Sequence, residues 1–378
     1  MTSPTGKLLS ELIALPSVNP AFTTANDPRT GEKCVAEFLA ATAASGGLDV
    51  EFQEVLPGRA NLVARLLPTG KVRQRILLAP HMDTVGVASD EQFDPQVKNG
   101  RIHGRGACDT KGSIAVFLSA LLNLASAKNR PASTEIILVA LVDEENGQAG
   151  SRFLARNKFK ADLAIVGEPT NLHIVTAHKG DLWLQLETRG KAAHGSRPEL
   201  GRNAVHLMSR IVHLLETDYA RQLRKRRHPL LRHATINVGT ISGGRQPNIV
   251  PDHCAIRIDR RTIPGESDPA VKREILAFLR RHGLVATMID TKHEEPAPPM
   301  ETSLRLPLVQ KFLHCARQKK PVGVDFFTDA GVLAAAGIPS VVFGPGDIAQ
   351  AHTDDEWVAL SQLDRGTKLL SRFLESLP

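Results

Sequence analysis

Five separated stretches of the chain carry residue types able to do chemistry. They are His81-Met82-Asp83, Asp109 within Gly104-Arg105-Gly106-Ala107-Cys108-Asp109-Thr110-Lys111-Gly112, the pair Glu144-Glu145, Glu168 within Gly167-Glu168-Pro169-Thr170, and His352 within Ala351-His352-Thr353-Asp354-Asp355-Glu356. Most follow or adjoin an apolar run that reads as a buried strand. An imidazole or carboxylate at the end of a buried strand needs a partner, because an unpaired polar group in the interior is costly. Two histidines and several carboxylates meet that need by holding a pair of divalent metal ions.

Taken singly, each stretch has a plainer reading. Ile76-Leu-Leu-Ala-Pro80 leads straight into His81, at the carboxyl end of a strand, where open α/β sheets place their ligands. Asp83, two residues on, is placed to reach the other imidazole nitrogen or to orient a neighbouring group. Alone, this pair also reads as a structural histidine with its partner. The loop 104–112 superficially suggests a dinucleotide site, but position 109 is aspartate where GxGxxG needs glycine, and no GxxxxGK[ST] is present. As a loop offering Asp109 to two metals it is reasonable, and Cys108 reads as small-residue packing beside the site, with a soft ligand as the alternative. Asp143-Glu144-Glu145 closes the apolar run 134–142. Adjacent carboxylates repel one another unless a cation is near, although a surface acidic cluster has the same composition. If the cluster is a metal site, Glu145 is the ligand and Glu144 the general base facing the substrate.

The elements that must position these groups follow from hydrophobic periodicity. Helical spacing marks 7–15, 31–44 and 111–127. Strand-like runs mark 61–67, 75–79, 134–142 and 163–166. Continuous apolar strands alternating with helices predict an α/β sheet covered on both faces. After residue 178 the pattern changes to strand 181–188, helix 203–216, strands 235–241 and 252–258, helix 268–282 and strand 284–289. That β-α-β-β-α-β order predicts a ferredoxin-like α+β domain. Glu294-Glu-Pro-Ala-Pro-Pro299 reads as a linker, and helix 304–317 and strand 340–343 resume before His352. The expectation is a discontinuous catalytic domain, residues 1–178 and 292–378, interrupted by an inserted domain, residues 179–291.

Bulk properties narrow the class. A chain of 378 residues is long for one core and fits two domains. Cys34, Cys108, Cys254 and Cys315 are scattered without a CxxC pair, which fits neither a zinc knuckle nor a disulfide framework and points to a reducing, cytoplasmic setting. No signal-peptide pattern and no long apolar run is present, so no membrane association is expected. The net charge is +7, much of it in Arg221-Gln-Leu-Arg-Lys-Arg-Arg-His228 with Arg232 and His233 beyond. No aromatic interleaves that run and aromatics are 4% of the chain, so a solvated helix end is expected and a nucleic-acid partner is not.

Together these motifs make the chain resemble the acetylornithine deacetylase and succinyl-diaminopimelate desuccinylase family of dinuclear zinc metallohydrolases, which also includes glutamate carboxypeptidases and aminoacylases. The resemblance covers essentially the whole chain. It extends to Ala193-His194-Gly-Ser-x-Pro198, Gly201-x-Asn203, Asn248-x-x-Pro251 and Asp259-x-Arg261-x-x-Pro264. It implies a zinc-peptidase-like mixed sheet flanked by helices, with the inserted domain as a lid and dimerisation module. It implies two Zn²⁺, replaceable by Co²⁺ or Mn²⁺, with Asp109 bridging, His81 and Glu168 at one ion, and Glu145 and His352 at the other. Glu144 resembles the general acid/base, Asp83 the carboxylate behind His81, His194 the oxyanion-stabilising residue, and Asn248 and Arg261 the substrate-binding pair. Thr110 and Ser113 stand where Met and Gly are frequent, and neither change removes a ligand.

The implied activity is metal-dependent hydrolysis of the amide bond of an N-acyl amino acid through a metal-bridging water and Glu144. A carboxypeptidase or dipeptidase on the same scaffold is the alternative, and a catalytically silent nucleic-acid-binding homologue a more distant one. Glu168, rather than Asp, leans toward the deacylase and carboxypeptidase-like members, and the stretch 343–350 looks most like acetylornithine deacetylases. The implied partners are a small N-acyl amino acid or peptide and a second copy of the chain.

Overall fold

A computed structural model describes residues 3–24, 26–128, 130–289, 295 and 297–378. Residues 290–294 and 296 lie outside the described residues, and with them the expected joint after residue 291 and part of the expected linker. The chain forms two compact units. One comprises Met1–Thr176, Glu301–Val322 and Thr328–Pro378, the other Ala177–Met300 and Gly323–Phe327.

The first unit is built on a mixed sheet with strands in the order Asp49–Leu56, Arg59–Leu66, Thr134–Ala140, Gln74–Pro80, Leu163–Gly167 and Ser340–Val342. The central strands Thr134–Ala140, Gln74–Pro80 and Leu163–Gly167 are mutually parallel and read Val, Ile, Leu and Ala almost throughout. Every residue of Thr134–Ala140 and of Leu163–Gly167 is buried, which is why those runs are continuous rather than alternating. The helices Pro4–Ile13, Lys111–Ser126 and Leu360–Glu375 pack against one another over the sheet. Their core includes Leu9, Phe117, Leu121, Leu370 and Phe373. The first of these helices has Pro4 at its start and is capped by Ser3, whose hydroxyl accepts the Gly6 N–H at 3.2 Å.

Parallel register does the positioning. Leu78 pairs with Leu138 on one side and Ile165 on the other, and Pro80 pairs with Gly167. His81 and Glu168 are therefore each one residue beyond a paired position. The 143–145 turn leaves the same edge, where His81 bridges to Leu141.

In the second unit an antiparallel sheet runs Thr235–Gly243, His253–Thr262, Gly180–Arg189, Thr287–Ile289. The helices Ala204–Leu214 and Asp268–Arg281 bury Met208, Ile211, Ile275 and Phe278 with Leu182, Leu184, Leu186, Ile256 and Ile258 of the sheet. Alternate residues point away, and Trp183 is half exposed. The strand expected at 252–258 continues to Thr262, which puts Arg261 on a strand. In the basic run, Arg221 pairs with Asp218, and Arg226 bridges Glu266 and Glu274.

His178, on the strand Val175–His178, is fully buried, with its Nδ1 2.8 Å from the Lys179 carbonyl. Burial pushes its pKa down to about 4. The unfolded chain takes up this proton first as pH falls, so stability is full above about pH 6.5 and is lost as pH falls toward 4, by at most about 3 kcal/mol. Denaturant melts of metal-stripped protein from pH 7 to 4 should show this loss in wild type and a shallower loss in His178→Gln. Parallel curves would contradict the assignment.

Candidate metal centre

Three neighbouring strand ends and two loops converge in the first unit. His81 enters from the end of Gln74–Pro80, Glu144 and Glu145 from the turn after Thr134–Ala140, and Glu168 from the end of Leu163–Gly167. Asp109 comes from the loop before the helix Lys111–Ser126, and His352 from the loop before the short strand Trp357–Ala359. Gly106 makes the first loop possible: its φ is +83°, and a Cβ there would meet the Lys111 side chain at 2.8 Å.

Asp109 lies between the two imidazoles. Its Oδ1 is 3.1 Å from His81 Nε2 and its Oδ2 is 3.2 Å from His352 Nε2. His352 Nε2 is also 3.2 Å from Glu145 Oε2, and His81 Nε2 is 3.8 Å from Glu168 Oε1 and 4.0 Å from Glu144 Oε2. Donor atoms of His81, Asp109 and Glu145 lie within 4.8 Å of one another, as do those of His81, Glu144 and Glu168. Apart from half-exposed His352, all of these groups are largely buried.

The electrostatics are those of crowded negative charge. Burial pushes Glu144 and Glu168 well above the usual carboxylate range, and neighbouring carboxylates add to it. Burial likewise lifts Glu145 to about 7. Burial acting alone would push His81 down, but hydrogen bonds to Asp109 and Asp83 hold it well above its ordinary value. Bonds to Asp109 and Glu145 raise His352 to about 10. Burial would raise Asp109, and the two imidazoles overcome that and hold it below the usual range.

These residues fit a pair of divalent cations. Ligand bonds of about 2.0–2.2 Å at tetrahedral angles separate neighbouring donor atoms by roughly 3.4 Å, close to the spacings around Asp109. Two buried acceptors, Glu145 Oε1 and Glu168 Oε1, have no hydrogen-bond partner. Five carboxylates, counting Asp83, face two imidazoles, and bound cations relieve that imbalance without protons.

Asp83 stands behind His81 and also serves the neighbouring turn. The nearest group to His81 Nδ1 is the Asp83 backbone carbonyl at 3.0 Å, with the carboxylate Oδ1 at 3.4 Å. The carboxylate also accepts the N–H groups of Glu144 and Glu145, each at 3.0 Å, and Asn19 Nδ2 at 2.7 Å. It therefore shapes the turn that carries both glutamates. Cys108 is buried beside the site with its Sγ toward the Asp347 carbonyl at 3.3 Å.

His194, Asn248 and Arg261 belong to the second unit. His194 is exposed, with Nδ1 2.7 Å from Ser196 Oγ, and it bridges to Ile249, which places it beside Asn248. Arg261 engages Asp259 through Nε and Nη2, each at 2.9 Å. Phe327 lies against its guanidinium, 5.8 Å from carbon to ring centre.

Two further carboxylates belong to the first unit's site. Glu356 accepts Arg105 Nη1 at 2.7 Å and the N–H groups of Gly106, Cys108 and Asp109 at 3.0, 2.8 and 2.9 Å. It fixes the loop that presents Asp109. Its place in the His352 stretch was visible in the sequence, but its partners were not. Asp329 is buried, accepts Ser151 Oγ at 2.5 Å, and is raised to about 6 by burial. Its charge adds to the pressure on Glu144 and Glu168. No spacing in the sequence marks it.

The profile of a family described as peptidase family M20/M25/M40 matches residues 77–376. Acetylornithine deacetylase of Aliivibrio salmonicida is 32% identical over 87% of this chain and 87% of its own length. An M20 family metallo-carboxypeptidase of Sulfolobus solfataricus superposes with a TM-score of 0.76 at 21% identity, covering 99% of both chains. A Bacillus subtilis protein described as a dinuclear metal-binding M20 peptidase superposes at 0.70 with 12% identity, over 98% of this chain and 96% of its own.

Glu356→Ala would leave Arg105 buried without its carboxylate and three loop N–H groups without an acceptor. Removing one partner of a buried pair costs about 3–5 kcal/mol. Denaturant melts of the metal-free protein should show a loss of that order, and a loss below about 1 kcal/mol would contradict this role for Glu356.

Proposed function

The chain belongs to the peptidase family M20/M25/M40, and we propose that within it the protein hydrolyses the amide bond of an N-acyl amino acid, in the manner of an acetylornithine deacetylase. The observation that carries this reading is Asp109, one carboxylate oxygen facing each imidazole, with buried Glu144 beside His81. The relatives named as acetylornithine deacetylases support the substrate class.

The residues proposed to hold two Zn²⁺ are His81, Asp109 and Glu168 for one ion and Asp109, Glu145 and His352 for the other. Co²⁺ or Mn²⁺ are chemically reasonable substitutes. When bound, such a pair polarises a carbonyl and makes a water nucleophilic at neutral pH. Glu144 is the proton carrier. Its carboxylate takes the proton of the attacking water and returns it to the departing amine nitrogen. Burial raises its basicity toward the range that this exchange requires. Asp83 holds Glu144 by the backbone N–H. His194 is assigned to the developing oxyanion and Asn248 and Arg261 to the substrate's carbonyl and carboxylate. Arg261 already spends two N–H groups on Asp259, so a carboxylate takes its remaining edge or displaces that partner.

The second unit, as an inserted lid and dimerisation domain, is part of the same proposal. Its edge strand Thr235–Gly243, with Ile241 exposed, offers a surface for a second copy. Among the described residues no helix is long and apolar enough to cross a membrane, and a cytoplasmic location is proposed. A carboxypeptidase or dipeptidase is the second reading, supported by the fold shared with the Sulfolobus enzyme.

Amine release from N-acetyl, N-succinyl and dipeptide substrates separates the readings. Metal-stripped protein should be inactive and should regain turnover with Zn²⁺ or Co²⁺, with N-acetyl amino acids preferred. Glu144→Gln should lose about 10²–10⁴-fold in kcat while retaining metal. Near-wild-type turnover in that variant, with metal bound, would remove Glu144 from its role.

A further inference from the structure

The turn that carries Glu144 and Glu145 is held by Asp83 and by three groups outside the motifs, Glu32, Arg59 and Asn19. Asp143 opens it in the left-handed region, φ +67°, where a residue with a side chain is strained unless its surroundings hold it there. Each of the next three backbone N–H groups, starting with that of Asp143 itself, is accepted by a buried carboxylate. Glu32 Oε1 takes the Asp143 N–H at 3.1 Å, and Asp83 takes those of Glu144 and Glu145 at 3.0 Å each.

The two carboxylates are tied to the turn from behind. Arg59 grips Glu32 with a two-bond fork, Nε to Oε2 at 2.8 Å and Nη2 to Oε1 at 2.6 Å, and places Nη1 3.0 Å from Asp143 Oδ1. Asn19 uses its one amide nitrogen twice, toward Asp83 Oδ2 at 2.7 Å and Asp143 Oδ1 at 3.0 Å. Glu32 is 1% exposed, Asn19 1%, Asp83 0% and Asp143 5%. Glu32 stands at the N-cap position of the helix Lys33–Ser45, yet its side chain caps nothing. Its carboxylate is committed to this network.

We propose that Arg59, acting with Glu32 and Asn19, is the positioning device of the catalytic turn: it fixes Asp143 in its left-handed conformation and so sets where Glu144 and Glu145 point. The chemistry favours Arg at position 59. Two buried carboxylates, Glu32 and Asp143, bond to this one guanidinium, whose planar fork satisfies both at once. An ammonium in its place cannot reproduce that fork. Outer partners of this kind typically change metal affinity or activity 10–100-fold when removed. The side-chain N–H groups of Arg59 and Asn19 go to Glu32, Asp83 and Asp143, so their effect runs through the backbone of Glu144 and Glu145.

The inference rests on the amide-hydrolase reading for its kinetic arm only. The full-length variants Arg59→Ala, Arg59→Lys and Asn19→Ala are compared with wild type. Three readouts apply: the unfolding midpoint of the metal-free protein, Co²⁺ titration followed by visible absorption, and kcat and KM on the best substrate. Arg59→Ala should weaken the Co²⁺ step that involves Glu145 by about 10–100-fold and reduce kcat similarly. KM should stay within about threefold, because transition-state positioning and not substrate binding is lost. Arg59→Lys should recover only part of both, and Asn19→Ala should shift both in the same direction by less. Wild-type Co²⁺ spectra and kcat in folded Arg59→Ala and Asn19→Ala would overturn the proposal. So would a loss that the unfolded fraction fully accounts for and that Arg59→Lys restores completely. If Arg59→Ala does not fold, the other two variants carry the same test. If wild type cleaves no substrate, the functional reading fails while the Co²⁺ titration still decides the clamp.

Discussion

Mutual repulsion among buried carboxylates is the constraint on which this structure turns. Asp83, Asp109, Glu144, Glu145 and Glu168 crowd around His81 and His352 in a largely buried region. Removing charge from water is costly, and like charges this close raise one another's proton affinity. Protons and bonds to imidazole answer part of that cost, and divalent cations answer it more completely. The directions of the pKa shifts record the demand: glutamates pushed up by burial, and imidazoles held up by the carboxylates they face.

Holding such a cluster requires fixed backbone, and the fold supplies it in two ways. Parallel register places His81 and Glu168 level with each other one residue past the Pro80–Gly167 pair. Buried carboxylates then fasten the irregular segments by their N–H groups: Glu356 the Asp109 loop, Asp83 and Glu32 the 143–145 turn. Each of these carboxylates is linked to a cation or amide at its back, Arg105, Arg59 or Asn19. The acids that face the centre are thus positioned by other acids, Glu356, Glu32 and Asp83, the last of which also stands beside His81. Such networks are worth keeping only when every member is satisfied, because a partly satisfied one is worse than an apolar core.

Much of this was legible in the sequence because the central strands are buried on both faces. Runs such as Ile136–Val142 and Leu163–Val166 are continuous in apolar residues, and the acids that end them stand out. The edge strand Asp49–Leu56 had no such continuous run, since its residues are exposed or half-buried and polar ones interrupt the apolar. The three-residue strands Gln96–Lys98, Arg101–His103 and Trp357–Ala359 are too short for a period to register. Asn19, Glu32, Arg59 and Asp329 were invisible for a different reason. Each is a single polar residue far along the chain from the groups it serves, so nothing local distinguishes it from a solvated side chain. Only the tertiary fold brings Glu32 and Asp143 together. Asp83 shows the intermediate case: its importance could be read from its spacing to His81, but its bonds to Asn19 and to the N–H groups of Glu144 and Glu145 could not.

The central claim is a two-cation centre organised by Asp109, and calorimetric titration of metal-free protein with Zn²⁺ tests it most directly. The account predicts two equivalents per chain in wild type. In Asp109→Asn, one carboxylate's loss should weaken both steps together, with the protein still folded. Binding of a single equivalent, or two equivalents bound by Asp109→Asn as tightly as by wild type, would contradict it.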